Sequence, residues 1–320
     1  MRITRRKAIQ TLMGTGAALF VHQEQASADG GQSHAPDRRA QDPPKTGPGK
    51  SVKVAAVQLR SRPEIEKNIE RHRHFIHRSA STGARVVVFP ECSVTGYNKK
   101  AIAKDTLRRL EEAERSIAEA AKEAGVYVIA GAPTPSGDGL FNSAVVITPA
   151  GKILERYHKI QLAGEQWAIP GEHMSVFPID GILCSIIICH DERYPELVRL
   201  PVLAGARIVF YISHESGMEE KKKIAPYRAQ IQARAVENSV FVVHANAPAD
   251  KRPRGGSHGQ SRIILPDGNI VAEAGHFEED YVEAVLDLDS ATGNLARRSG
   301  EFETLKDWWQ HGVAKVRRIT

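Results

Sequence analysis

Apolar residues in this chain fall into short runs that stop abruptly on charge, separated by longer segments in which they recur every three or four positions. Residues 52–57, 85–89, 126–130 and 185–188 read as buried strands. Residues 63–80 bring Ile65, Ile69, His72, Ile76 and Ser79 to one helical face. Residues 104–124 predict a second amphipathic helix, stopped by Gly125, which takes the left-handed cap position at little cost. A hairpin is expected where 143–147 and 152–157 flank Pro149-Ala150-Gly151. Strands alternating with helices, plus hairpins, predict an α/β domain with a mixed sheet. One echo runs through it: residues 83–89 (Gly-Ala-Arg-Val-Val-Val-Phe) return in kind at 205–211 (Gly-Ala-Arg-Ile-Val-Phe-Tyr). The echo predicts two similar βα units facing each other about a pseudo-twofold axis.

At 320 residues the chain can bury a large core, and its pattern suits one large domain better than two. The net charge of +6 suggests nucleic acid until it is located. Half of it comes from residues 1–28, where Arg2, Arg5, Arg6 and Lys7 stand against Glu24, and no basic stripe interleaved with aromatics follows. Thr4-Arg5-Arg6-Lys7, an apolar stretch over 8–21 and Ala26-Ser27-Ala28 read instead as an export signal over 1–28. The signal resembles the twin-arginine type, from which Ala8 departs by lacking a bulky apolar side chain. Its apolar stretch is too short and too polar to stay in a bilayer, so an exported protein, periplasmic or extracellular, without a stable membrane anchor is expected. Residues 29–50, rich in Gly, Pro and charge, read as a flexible linker, leaving the folded domain over 51–320. Cys92, Cys184 and Cys189 suggest no disulfide framework.

The most informative run is Ile186-Ile187-Ile188-Cys189-His190-Asp191-Glu192-Arg193-Tyr194-Pro195-Glu196, where a thiol stands at the point that a buried strand gives way to charge. Pro195 marks the start of a following helix. Cysteine is also an ordinary core residue. Two other apolar runs end on chemistry, however: 85–89 leads into Pro90-Glu91, and Tyr157-His158-Lys159 presents a lysine. Glu91, Lys159 and Cys189 make a catalytic set, with a carboxylate to move protons, an ammonium to hold an oxyanion and depress the thiol pKa, and a nucleophile. His190 and Asp191 follow Cys189 directly, but adjacent side chains diverge, so a Cys-His-Asp relay is not expected. His72, His74 and His77 do not share a helix face, and neither a metal nor another cofactor is expected.

These segments resemble the motifs of the nitrilase superfamily, the carbon-nitrogen hydrolases. Phe89-Pro90-Glu91 is similar to the glutamate motif, Lys159 and its neighbours to the lysine motif, and residues 185–196 to the cysteine motif. Gly164-Glu165 with Pro170-Gly171, Ala233-Arg234-Ala235-Val236-Glu237-Asn238, and Gly256-Ser257-His258-Gly259-Gln260-Ser261 leading into Pro266-Asp267-Gly268 agree in order. The resemblance covers residues 52–289. It implies a four-layer α-β-β-α sandwich, a homodimer or higher homo-oligomer, and hydrolysis of a small linear amide or N-carbamoyl amine through a cysteine thioester. It also implies Glu165 as an acid beside the cysteine, with a purely structural salt bridge as the alternative.

Substrate contacts are expected from His190, from His214 and Glu215 after the strand near 208–213, and from Arg193, unless Arg193 pairs with Glu192 or Glu196. Arg193 and the basic loop at 251–254 favour an acidic substrate. Nitrile hydrolysis and acyl transfer would use the same triad; His190-Asp191, where true nitrilases more often carry Trp-Glu, favours amides. Outside hydrolysis stand a catalytically silent binding module and a redox-sensing thiol partnered by Cys184 or Cys92. Trp308-Trp309 is expected to close the core or a dimer seam.

Overall fold

The computed structural model describes residues 51–97, 106–137, 139–251 and 256–320. The expected signal (1–28), linker (29–50) and positions 252–254 of the basic loop lie outside the described residues. The chain runs through β1 (Ser51–Gln58), α1 (Ile65–Ser81), β2 (Val86–Val88), α2 (Thr106–Ala124), β3 (Tyr127–Ser136), β4 (Gly139–Ile147) and β5 (Ile153–His158). After a short β6 (Ala168–Ile169) come β7 (Met174–Ile179), β8 (Ile182–Ile188), α3 (Glu196–Leu203), β9 (Ile208–Ser213), α4 (Ile224–Val236), β10 (Phe241–Asn246), β11 (Arg262–Ile264) and β12 (Ile270–Glu273). β13 (Asp280–Asp287), α5 (Asn294–Glu301), α6 (Lys306–Val313) and β14 (Val316–Arg318) follow.

The strands form two sheets. One has the order β13-β1-β2-β3-β4-β5, with β6 beside β4, and the other β12-β11-β10-β9-β8-β7-β14. In the first, β1, β2 and β3 are parallel, β4 and β5 add antiparallel, and β13 lies antiparallel on the outer side of β1. The second repeats this with β8, β9 and β10 parallel, β11 and β12 antiparallel, and β7 antiparallel to β8. The two copies of the sequence echo fall on β2 and β9, equivalent strands of the two halves.

Period-two alternation explains how the sheets stack, because successive side chains of a strand leave on opposite faces. Val54, Val86, Val88, Ile129 and Val146 meet Ile186, Ile188, Phe210, Ile212 and Val243 in a core between the sheets. Their neighbours Val57, Val87 and Val128 turn outward onto Phe75 and Ile76 of α1 and Ile117 of α2. On the other side Ile187, Val209 and Val242 cover Val198 and Val202 of α3 and Ile231 of α4. The result is the expected α-β-β-α sandwich.

Two local differences have physical causes. α1 buries Asn68 and Phe75 besides the expected face, while Ile69 is half-buried. Asn68 is tolerated there because it bonds the backbone of Arg62 and Val94. β3 runs to Ser136, beyond the expected end at 130, because it pairs with β4 over its whole length. Past Ile129 it has left β2, so Pro133 and Pro135 sit where only one side needs ladder bonds.

Candidate active site

The candidate catalytic side chains stand just beyond strand ends: Glu91 after β2, Lys159 after β5, and Cys189 after β8. The turn holding Glu91 packs against β3 at Gly131, where a Cβ would come within 2.2 Å of the Pro90 carbonyl oxygen. Beneath it, His72 Nδ1 donates to the Asn68 carbonyl (2.7 Å), leaving Nε2 to accept from Ser93 Oγ (2.9 Å). Lys159 is fixed through its backbone to the Asn142 carbonyl and to the Gly171 N–H. Gly171 is another close approach, with a Cβ position 2.2 Å from the His158 carbonyl oxygen.

Cys189 opens a short 3-10 turn, Cys189–Arg193, with a left-handed φ of 45°. Asp191 holds that turn. Its carboxylate accepts from Ile188 N (3.0 Å), Gln161 N (2.8 Å) and Tyr157 Oη (2.9 Å), tying the thiol's strand to the lysine loop. This position explains why Cys189, His190 and Asp191 form no relay. Burial pushes Asp191 up to about 6 despite those donors.

Around the thiol the charged groups converge. Lys159 Nζ donates to Glu91 Oε1 (2.8 Å) and to Glu165 Oε1, with both the amine and the Glu91 side chain fully buried. Asn142 Nδ2 (2.7 Å) and Tyr97 Oη (3.1 Å) also reach Glu91 Oε1, and His214 N donates to Oε2 (2.9 Å). Tyr97 Oη lies between Glu91 and Glu165, 2.5 Å from the latter. Burial works against the Lys159 ammonium, but Glu91, Cys189 and Glu165 hold its pKa above the ordinary lysine range. Burial alone would raise the Glu165 carboxyl, and Lys159 overcomes it, with Tyr97 helping, to hold it low.

The expected downward pull of Lys159 on the Cys189 pKa is present but does not set its net direction. Burial, with Glu91, Glu215 and Glu192 adding to it, drives the thiol well above its usual range. That shift favours the protonated thiol, so attack calls for a base.

A cavity of about 260 Å³ opens at Cys189, walled by Tyr97, His190, Glu192, His214, Glu215 and Tyr227 among others. His190, His214 and Glu215 thus share the nucleophile's cavity. Arg193 is exposed, its guanidinium 5.4 Å from the Tyr227 ring centroid, and neither Glu192 nor Glu196 lies within ion-pair distance. Cys184 lies in the core between the sheets, and buried Cys92 has its Sγ 3.6 Å from Asn142 Oδ1. Tyr97, Asn142, Glu192 and Tyr227 are site residues that the sequence pattern did not single out. Asn142 carried a signal, since an asparagine inside an apolar strand needs a partner.

Comparison with known proteins agrees with this geometry. The carbon-nitrogen hydrolase family model matches residues 53–293. The chain is 32% identical over 248 residues to a nitrilase of Pyrococcus abyssi, covering 74% of this chain and 90% of the relative. It is 28% identical over 249 residues to an omega-amidase of Xenopus tropicalis (74% and 89% covered), and 30% over 230 residues to a 2-oxoglutaramate amidase of Bacillus subtilis (70% and 86%). Among solved structures, the amidase of Nesterenkonia sp. AN1 superposes with a TM-score of 0.71 at 23% identity, over 80% of this chain and 97% of that one. Two sheets sandwiched between helices, with glutamate, lysine and cysteine meeting at their strand ends and a family match across nearly all of that frame, lead to one conclusion: this chain belongs to the carbon-nitrogen hydrolase family.

Proposed function

We propose that this protein is an amidase that hydrolyses the C–N bond of a small linear amide or an N-carbamoyl amine through a thioester on Cys189. The observation that carries this reading is the buried Glu91–Lys159 pair, close enough to act electrostatically on Cys189, which itself lines a cavity. In the first step Sγ attacks the carbonyl carbon while Glu91 takes the thiol proton. Lys159 Nζ, with the His190 backbone N–H, holds the oxyanion. Collapse breaks the C–N bond, and Glu91 passes its proton to the leaving nitrogen. Water then gives a proton to Glu91 and attacks the thioester, and the proton returns to sulfur as the acid departs. Glu165 keeps Lys159 charged and oriented.

The relatives named omega-amidase and 2-oxoglutaramate amidase support amide substrates; the relative named nitrilase favours nitrile hydrolysis as the second reading. Acyl transfer to an amine uses the same thioester. Ammonia release over a panel of amides, N-carbamoyl amines and nitriles tests all three. Loss of release in Cys189→Ala, and a drop of about a hundredfold or more in Lys159→Met, are expected. Turnover that survives Cys189→Ala would overturn the reading.

Residues 1–28 support export, with cleavage after Ala28 and a periplasmic or extracellular location. Mass spectrometry of protein recovered from an exporting host should find a chain starting at Asp29; an intact N-terminus retained in the cytoplasm would count against export. The homo-oligomer implied by the family resemblance is tested by light scattering, where a monomeric mass would remove it.

A further inference from the structure

Four buried carboxylates cluster near Cys189: Glu91, Glu165, Glu192 and Glu215, none more than 5% exposed. Lys159 answers the first two. Glu215 accepts from Tyr211 Oη (2.6 Å) and faces His258 Nε2 (3.0 Å). Glu192, 1% exposed, is different: its Oε2 accepts from the same Tyr211 Oη (2.9 Å), and among the described residues its Oε1 has no hydrogen-bond partner and no cation lies within ion-pair distance. The nearby cations are engaged elsewhere. Arg234 spends Nε on the Glu192 carbonyl oxygen and an amino group on Glu237, Arg262 turns to Glu273, and Arg193 lies outside over Tyr227. Glu192 and Glu215 both line the cavity that Cys189 opens into.

A buried carboxylate without a cation is costly unless something neutralises it. Burial and the neighbouring Glu215 charge hold the Glu192 carboxyl well above the usual carboxylate range, against the pull of Tyr211, Arg193 and Arg234, and so favour a proton there. A single phenolic hydrogen cannot serve two carboxylates, which leaves the Glu192 side of the Tyr211 bridge poor in donors. Tyr97 also lines this cavity, and its hydroxyl is engaged by Glu91 and Glu165.

Resting on the amidase reading, we propose that Glu192, with Glu215 behind it, is a specificity-determining residue that selects amides carrying a protonated amine. As the ammonium binds, Glu192 gives up its proton to solvent and its carboxylate accepts from the ammonium N–H groups. This preference competes with the expectation of an acidic substrate drawn from Arg193 and the basic loop at 251–254; the Arg193 guanidinium lies over the Tyr227 ring, and 252–254 lie outside the described residues.

The test uses the full chain and three probes of similar length: γ-aminobutyramide, its neutral isostere valeramide and the anionic succinamate. Ammonia release should give a kcat/KM for γ-aminobutyramide at least about tenfold above valeramide, with succinamate lowest, as a charge-assisted hydrogen bond at a desolvated site requires. Glu192→Gln, which keeps the shape and the Tyr211 contact, should collapse that ratio towards one. Equal turnover of the three, or a preference for succinamate, would overturn the proposal while leaving the amidase reading intact; the wild-type ranking decides this even where the variant fails to fold. Should no probe be hydrolysed, the amidase reading loses support, and calorimetric titration of Cys189→Ala decides specificity separately. Tighter binding of γ-aminobutyramide than of valeramide supports the role of Glu192, and equal affinity removes it.

Discussion

Asp191 shows how much one side chain between nucleophile and lysine contributes. It satisfies two backbone N–H groups and a buried phenol, and it keeps Cys189 in a left-handed conformation that a residue with a Cβ adopts only at a cost of about 1–3 kcal/mol. Asp191→Ala strands all three donors, and a loss of roughly 3 kcal/mol or more in urea unfolding is expected. A loss below about 1 kcal/mol would mean that water replaces the carboxylate. Glu91, Lys159 and Cys189 were legible in the sequence because each interrupts an apolar run. Tyr97 and Glu192 were not, because their roles depend on partners that only the fold supplies: Glu165 lies 68 positions from Tyr97, and Tyr211 lies 19 from Glu192.

At the level of elements, two glycines set the distance between the catalytic turns and the strands beneath them. A methyl group at Gly131 would meet Pro90 O at 2.2 Å and Glu91 Cα at 2.8 Å, so Gly131→Ala must move the turn that carries Glu91. A fall in kcat of about tenfold or more is expected, together with roughly 1–3 kcal/mol of destabilisation. Gly275→Ala, with nothing within 4 Å of the added carbon, is the matched control and should leave both close to wild type. The helices, and the parallel strands that start from them, were readable because burial on both faces writes a continuous apolar run. The length of β3 was not, since its last residues are strand only through β4, and its two prolines argue locally against one.

Across the molecule, buried histidines make the fold sensitive to acid. Burial lowers His72 to about 4 and His244 to about 3 from an ordinary value of 6.5. A depressed histidine pKa means that the unfolded chain binds the proton first, so the stability each ring contributes is full above about pH 6.5 and is lost as pH drops towards 4. His72 alone accounts for about 3 kcal/mol of that loss. Asp191 and Glu192, raised by burial, act in the opposite sense over this window, so the share of one ring is read by difference: urea midpoints of a His72→Gln variant should fall less with acid than those of the wild type, and equal slopes would show that the ring is already charged in the fold. The pseudo-twofold arrangement was legible from a single seven-residue echo, because equivalent βα units need the same glycine turn and the same apolar strand. What the echo could not reveal is which strand completes each sheet.

That completion has a consequence for how the protein is made. β1 begins the described domain, yet its outer neighbour is β13, paired from Ser51 with Asp287 to Gln58 with Asp280. During synthesis, Cys189 leaves the ribosome well before that partner exists. A chain stopped short of residue 280 already carries the thiol after β8 of the second sheet, while β1 of the first sheet still offers a bare edge of N–H and C=O groups, the feature that invites aggregation. A complete first sheet is thus reserved for chains translated past residue 287.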